Sequence, residues 1–298
     1  MRFPLGEAIV DIIVDDDDFS MPVSDFFPDR DPELIKKHRG VLEPDFLDLA
    51  TGMARFAIQS FVLRTATMTI LIDSCLGEGK DRPEIPVWHQ RRGSGFLDRL
   101  RRAGVDPASI DLVFCTHLHI DHVGWNTQSE NGRWVPSFPN ARYLFGRNEL
   151  NDWLDQLRTG RALPLHARGL EDSVIPIVEA GRADLVDDGY ELGPGLRLLP
   201  LPGHTRGQMG VAVDFAQARA LFCGDAVHNP LQIYQPGLST GTCVDPKVGG
   251  ETRHKIFAEA ADNGRLLVPA HFRGQRCAHI HAAGDSYEPV FDVRPGES

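Results

Sequence analysis

The sequence predicts an α+β fold, and three observations carry that prediction. Short apolar runs of β character recur from residues 8–14 to residues 266–268, while fewer segments show the spacing of an amphipathic helix. Four of the runs end at a turn signal beside histidine or aspartate: 111–115 before the loop 116–122, 196–201 before His204, 220–223 before Asp225, and 266–268 before His271. No tandem repeat, low-complexity tract or linker divides the chain into independent domains.

The elements follow in order. Residues 8–14 read as a strand, which the run Asp15–Asp18 breaks as an exposed loop of like charges. Residues 1–48 form an N-terminal extension, a cap or a dimer contact, packed on a main domain of residues 49–298. A short helix is expected over 32–38. Residues 57–64 and 68–73 read as paired strands, the second running into Asp73. Apolar positions 96, 97, 100 and 103 make a helix stopped by Gly104. A strand at 142–145 precedes a helix over 148–157, whose Leu150, Trp153, Leu154 and Leu157 form a core stripe. Strands at 209–215 and 220–223 pair, and a helix over 252–261 stops at Asn263-Gly264. Segments 78–95, 157–171 and 229–250 read as loops that shape the pocket.

Bulk properties narrow the function. The chain has 298 residues, with 42% hydrophobic and 24% charged, an ordinary globular composition. A formal net charge of −11 opposes nucleic-acid binding, which needs clustered Lys and Arg. Arg91, Arg92, Arg99, Arg101 and Arg102 form the one basic patch and read as a solvated helix face. The five cysteines are odd in number and lack CxxC spacing, which suits a reducing compartment. There is no signal segment and no membrane-spanning run, so a cytoplasmic location is expected, with a small-molecule substrate and no membrane partner.

The loop Thr116-His117-Leu118-His119-Ile120-Asp121-His122 concentrates the chemistry. Imidazole and carboxylate are ligands for zinc and similar metals. His117, His119 and Asp121 share the parity of an extended backbone, whereas His122 breaks it and aims elsewhere. With His204, Asp225 and His271 the chain offers five histidines and two aspartates. Seven ligands exceed one tetrahedral shell and suit two metals, one carboxylate bridging.

Asp73 after a strand, His117-x-His119-x-Asp121-His122, Gly203-His204-Thr205, Gly224-Asp225 and Ala270-His271, in that order, resemble the metallo-β-lactamase-fold hydrolases. The resemblance covers roughly residues 56–271. It implies an αββα sandwich of two facing mixed sheets with helices outside. It assigns His117, His119 and His204 to one metal, Asp121, His122 and His271 to a second, Asp225 to the bridge, and Asp73 to fixing the histidine loop. The metals implied are two divalent ions, zinc first, with iron, manganese or cobalt as alternatives.

Asp225 resembles the bridging aspartate of the glyoxalase II, lactonase and phosphotriesterase branches. Asp225-Ala226-Val227-His228 with Gln232 is similar to methyl parathion hydrolase-like enzymes; the quorum-quenching lactonases carry tyrosine where His228 stands. The implied reaction is attack of a metal-bridging hydroxide on an ester, lactone or phosphotriester, with Asp121, Asp225 and His228 as catalytic residues. Trp88, Leu118, Trp125 and Asn126 are candidate pocket residues, the two tryptophans equally candidates for packing. A mononuclear iron enzyme of the persulfide dioxygenase type and a glyoxalase II-like thioesterase are the alternatives. The resemblance and the N-terminal extension imply a homodimer.

Overall fold

The computed structural model describes residues 1–291, so the end of the expected 49–298 domain, 292–298, lies outside them. The chain forms two compact units. One holds Met1–Asp16 and Ile58–Asp187; the other holds Asp17–Ala57 and the chain from Asp188 onward. The N-terminal stretch is thus divided between both.

The first unit is built on a mixed sheet ordered Arg2–Leu5, Ala8–Pro22, Met53–Arg64, Thr69–Ile72, Leu112–Phe114, Arg142–Gly146, Ala183–Val186. Its last four strands run parallel, with Ile70 opposite Leu112, Leu112 opposite Arg142 and Tyr143 opposite Ala183. Thr69–Ile72, Leu112–Phe114 and Arg142–Gly146 are near-continuous apolar runs, as strands buried on both faces require, while the edge strand Ala183–Val186 carries Asp184 and an exposed Leu185. Their C-terminal ends therefore lie along one edge. Asp73, the loop after Phe114 and the helix Arg147–Arg158 all start there.

The second unit has a sheet ordered Glu191–Gly193, Leu196–Pro200, Met209–Phe215, Ala218–Gly224, Leu266–Pro269. Antiparallel pairing precedes a final parallel pair, Ala220 opposite Leu266. Leu196–Pro200, Ala218–Gly224 and Leu266–Pro269 consequently point the same way, and each ends just before His204, Asp225 or His271. Both sheets are mixed and carry helices, which is the α+β class expected. The segment 17–57 contributes Phe26, Phe27, Leu42, Leu47 and Phe56 to an apolar cluster with Leu231 and Leu238 of the same unit.

Several local expectations are corrected. Asp15–Asp18 does not break the first long strand, which runs Ala8–Pro22. Asp15 is 4% exposed and meets Arg91 at 3.2 Å and Arg99 at 3.8 Å. Those two arginines are therefore tied to a buried carboxylate rather than left as a solvated face, because a buried charge needs pairing. Leu154 is 40% exposed and lies off the buried stripe of Leu150 and Trp153. Residues 157–171 are largely helical, Pro164–Ser173 starting with proline at its first position.

The helix expected over 252–261 begins at Pro246, capped by the Asp245 carboxylate accepting from Val248 N–H. Gly249 and Gly250 lie inside this helix, although glycine lowers helix propensity. Close packing outweighs propensity there: a Cβ on Gly203, at φ +135°, would fall 2.3 Å from Gly249 Cα. The two glycines bring the turn carrying His204 onto the helix.

Candidate metal centre

In the first unit one carboxylate organises the histidine loop. Asp73 Oδ1 accepts from Thr116 N–H at 2.7 Å, and Oδ2 accepts from the Thr116 hydroxyl at 3.0 Å. His122 Nδ1 lies 2.9 Å from the same Oδ2. An ionised carboxylate only accepts, so Nδ1 of His122 carries the proton and Nε2 is left as a lone pair. Thr116 donates to Asp73, so its oxygen accepts from His117 Nδ1, 3.1 Å away. His117 Nε2 is then also a lone pair, and it lies 3.0 Å from His119 Nδ1. Asp121 Oδ2 lies 3.7 Å from His122 Nε2. Asp73 itself adopts φ 57° and Cys75 φ 50°, a left-handed backbone that only Gly adopts freely. Hydrogen bonds from Ser74 N to His122 O and from Gly124 N to Cys75 O knit this turn to the loop.

In the second unit the carboxylate is itself the centre. Nε2 of His204, His228 and His271 lie 3.3, 3.0 and 3.1 Å from Asp225 oxygens. His271 Nδ1 lies 2.9 Å from the Ala57 carbonyl, an acceptor, so Nδ1 holds the proton and Nε2 points at Asp225. His228 N–H donates to Gln232 Oε1, and Gln232 Nε2 donates to Leu238 O. The Phe26 ring meets the His228 ring edge-on at 5.4 Å. Burial lowers the pKa of His228 against the opposing pull of Asp225, which favours neutral imidazole.

The pocket candidates sit in mixed settings. Trp88 and Trp125 are each 6% exposed, and Trp125 stacks on Phe96 at 5.6 Å. Leu118 is 1% exposed, with its N–H donated to Glu149 Oε1 at 3.1 Å. Asn126 is fully buried; its Oδ1 accepts from the Ser74 hydroxyl and its backbone carbonyl from Tyr143.

Of three side chains that crowd the loop, sequence reading missed Glu149 and His166 and took Trp153 for core alone. Glu149 takes both Leu118 N–H and Trp153 Nε1–H. Trp153 and His166 flank the His119 ring. Burial lowers the pKa of His166, and Asp121 pulls the other way. It missed as well a buried charge cluster: Arg82 binds Asp172 through two contacts of 2.8 and 2.9 Å, and Lys80 donates to Thr127 Oγ1 at 2.7 Å. Glu149 lay in the first turn of a helix read only for its apolar stripe, and Pro164 was the available signal for the helix that carries His166 and Asp172.

Donor chemistry tests whether a metal fits. Within the first unit, ligand atoms of His117 and His119 lie within 4.8 Å of each other, as do those of Asp121 and His122; within the second, so do those of His204 and Asp225. Imidazoles with one nitrogen committed to a carboxylate, hydroxyl or carbonyl, and the other left as a lone pair, are the ligand form that zinc-like cations take. The residues present fit divalent metal.

Comparison with known proteins agrees. A family model described as the metallo-beta-lactamase superfamily matches residues 54–271. The N-acyl homoserine lactonase AiiB of Agrobacterium fabrum is 28% identical over 203 residues, 64% of this chain and 67% of AiiB. The probable metallo-hydrolase Rv2300c of Mycobacterium tuberculosis is 50% identical over 132 residues, 44% of this chain but only 41% of that protein's length. The solved structure of AidC, a dizinc quorum-quenching lactonase, matches with a TM-score of 0.79 at 18% identity, covering 99% of this chain and 98% of that one. At that identity the likeness shows the fold.

Proposed function

The chain belongs to the metallo-β-lactamase superfamily, and from that premise we propose that it is a binuclear metal-dependent hydrolase of esters, lactones or phosphotriesters. His117, His119 and His204 are proposed to hold one metal, Asp121, His122 and His271 the other, and Asp225 both. The observation that carries the reading is the set of imidazoles whose Nδ1 protons are committed to Thr116, Asp73 and the Ala57 carbonyl, which fixes Nε2 in the basic form that ligates metal. When bound, divalent metals supply a hydroxide at neutral pH and an electrophile for the substrate oxygen.

The chain's own residues do the rest. Asp73 holds His117 and His122 in one tautomer, directly and through Thr116. Asp225, with three imidazoles around it, orients the nucleophile and takes its proton. His228, 3.0 Å from Asp225, is proposed to receive the proton that Asp225 takes and to pass it on to the leaving oxygen. A lactone substrate is supported by the likeness to AiiB. Histidine at 228 sets this chain apart from enzymes that use tyrosine there, and it keeps phosphotriesters in the substrate screen.

The test is metal analysis of the purified protein together with a screen of esters, thioesters, lactones and phosphotriesters. Two divalent metals per chain with hydrolysis of one class are expected. One iron per chain with persulfide-dependent oxygen uptake would overturn the reading. His119→Ala is expected to lose metal and activity together; wild-type turnover in a metal-depleted variant would refute the assignment.

A further inference from the structure

The His119 ring sits in a bracket of aromatic side chains supplied by two helices of its own unit. The His166 ring stacks on it at 4.8 Å between centroids, with 27° between planes. Trp153 meets the same His119 ring edge-on at 5.6 Å and 72°, and meets His166 at 5.1 Å. Offset-stacked and edge-on pairs at these separations are the attractive arrangements of π-systems.

Both helices are also tied to the histidine loop and its surroundings by contacts other than ring stacking. Trp153 is pinned by its indole N–H, which donates to Glu149 Oε1 at 2.7 Å, and that same oxygen takes the Leu118 N–H beside His119. The Pro164–Ser173 helix is clamped at its far end by the buried Arg82–Asp172 pair. Near its middle it lies hard against the histidine loop: a Cβ at Gly169 would fall 2.6 Å from Ile120 Cγ2. His166 Nδ1 is buried and has no hydrogen-bond partner among the described residues. Ring faces, not a hydrogen bond at Nδ1, therefore connect His166 to its surroundings.

We propose that His166 is a positioning residue: its ring face holds the His119 imidazole in the orientation that binds metal. The proposal rests on His119 being a metal ligand. A ligand held in place loses less rotamer freedom on binding, so the platform raises metal affinity without touching metal or substrate.

The test compares His166→Phe, which keeps a ring face, with His166→Leu, which fills the space without one. Metal retained per chain is measured across a chelator series, and the visible spectrum of the cobalt-substituted protein reports ligand geometry. His166→Leu is expected to weaken metal binding by about 10–100-fold and to alter the cobalt spectrum, while His166→Phe keeps wild-type affinity and spectrum. If His166→Leu does not fold, His166→Gln supplies the ring-free side chain. A ring-free variant that binds metal as the wild type does, or His166→Phe as weak as the ring-free variant, would overturn the proposal. In either case a wild type that binds metal and hydrolyses substrate leaves the hydrolase reading standing. A wild type that binds no metal would sink both.

Discussion

Asp73 anchors the histidine loop of the first unit. Its two oxygens take three hydrogen bonds, and through them set the ring tautomers of His117 and His122. Asp73→Ala is expected to lower metal affinity by about 10–100-fold, read as metal content after dialysis against a chelator; an unchanged content would show that the loop holds its shape alone. Lys80 allows a prediction about pH. Burial lowers its pKa from 10.5 to about 7, with Asp172 opposing. Between those values the unfolded chain holds the proton and the folded chain does not, so stability rises with pH across the window. Below about 7 both states are protonated and the full cost of burying the ammonium is felt. Relative to Lys80→Met, the wild type should gain stability from pH 7 upward, with a slope approaching about 1.4 kcal/mol per pH unit. A difference independent of pH would show that the amine stays charged in the fold.

At the scale of elements, strand direction places the chemistry. Three adjacent parallel strands end at Asp73, at the histidine loop and at the helix bearing Glu149, which is why residues 43 apart share a hydrogen bond. The turn after Asp73 and the loop after His122 approach so closely that only glycine fits between them. A Cβ on Gly124 would lie 2.0 Å from the Leu76 carbonyl. Gly124→Ala is expected to cost about 1–3 kcal/mol or more in urea unfolding, since backbone cannot yield as a side chain does. Gly40→Ala, with nothing within 4 Å of the new Cβ, is the control and should leave stability unchanged or raise it. Sequence patterning found the strands that lead into the candidate site and the helix Arg147–Arg158, because period two and period 3.6 are local properties. It lost the start of the Pro246–Asn263 helix because Gly249 serves a contact with Gly203, which no local pattern encodes.

At the scale of the whole molecule, each unit brings its own donors at the ends of its own sheet. The first brings His117, His119, Asp121 and His122; the second brings His204, Asp225 and His271. If these seven bind metal only in the folded chain, stripping the metal should lower the unfolding temperature and added zinc should restore it, by mass action on the folded state. A thermal transition insensitive to chelator would argue against metal as part of the native fold. Among the described residues no helix is long and apolar enough to cross a membrane.

The sequence by itself determined the α+β class, the strand ends and the candidate metal donors, because ligand chemistry belongs to residue type and strand patterning to near neighbours. Only the tertiary structure decided how those donors are held. Asp73 reaching Thr116 and His122, Ala57 capping His271, and Glu149, Trp153 and His166 closing around His119 are contacts between residues distant in the chain. The Asp73 contacts form because adjacent parallel strands bring their C-terminal ends to one edge, and that register is a property of the folded sheet, not of any stretch of sequence.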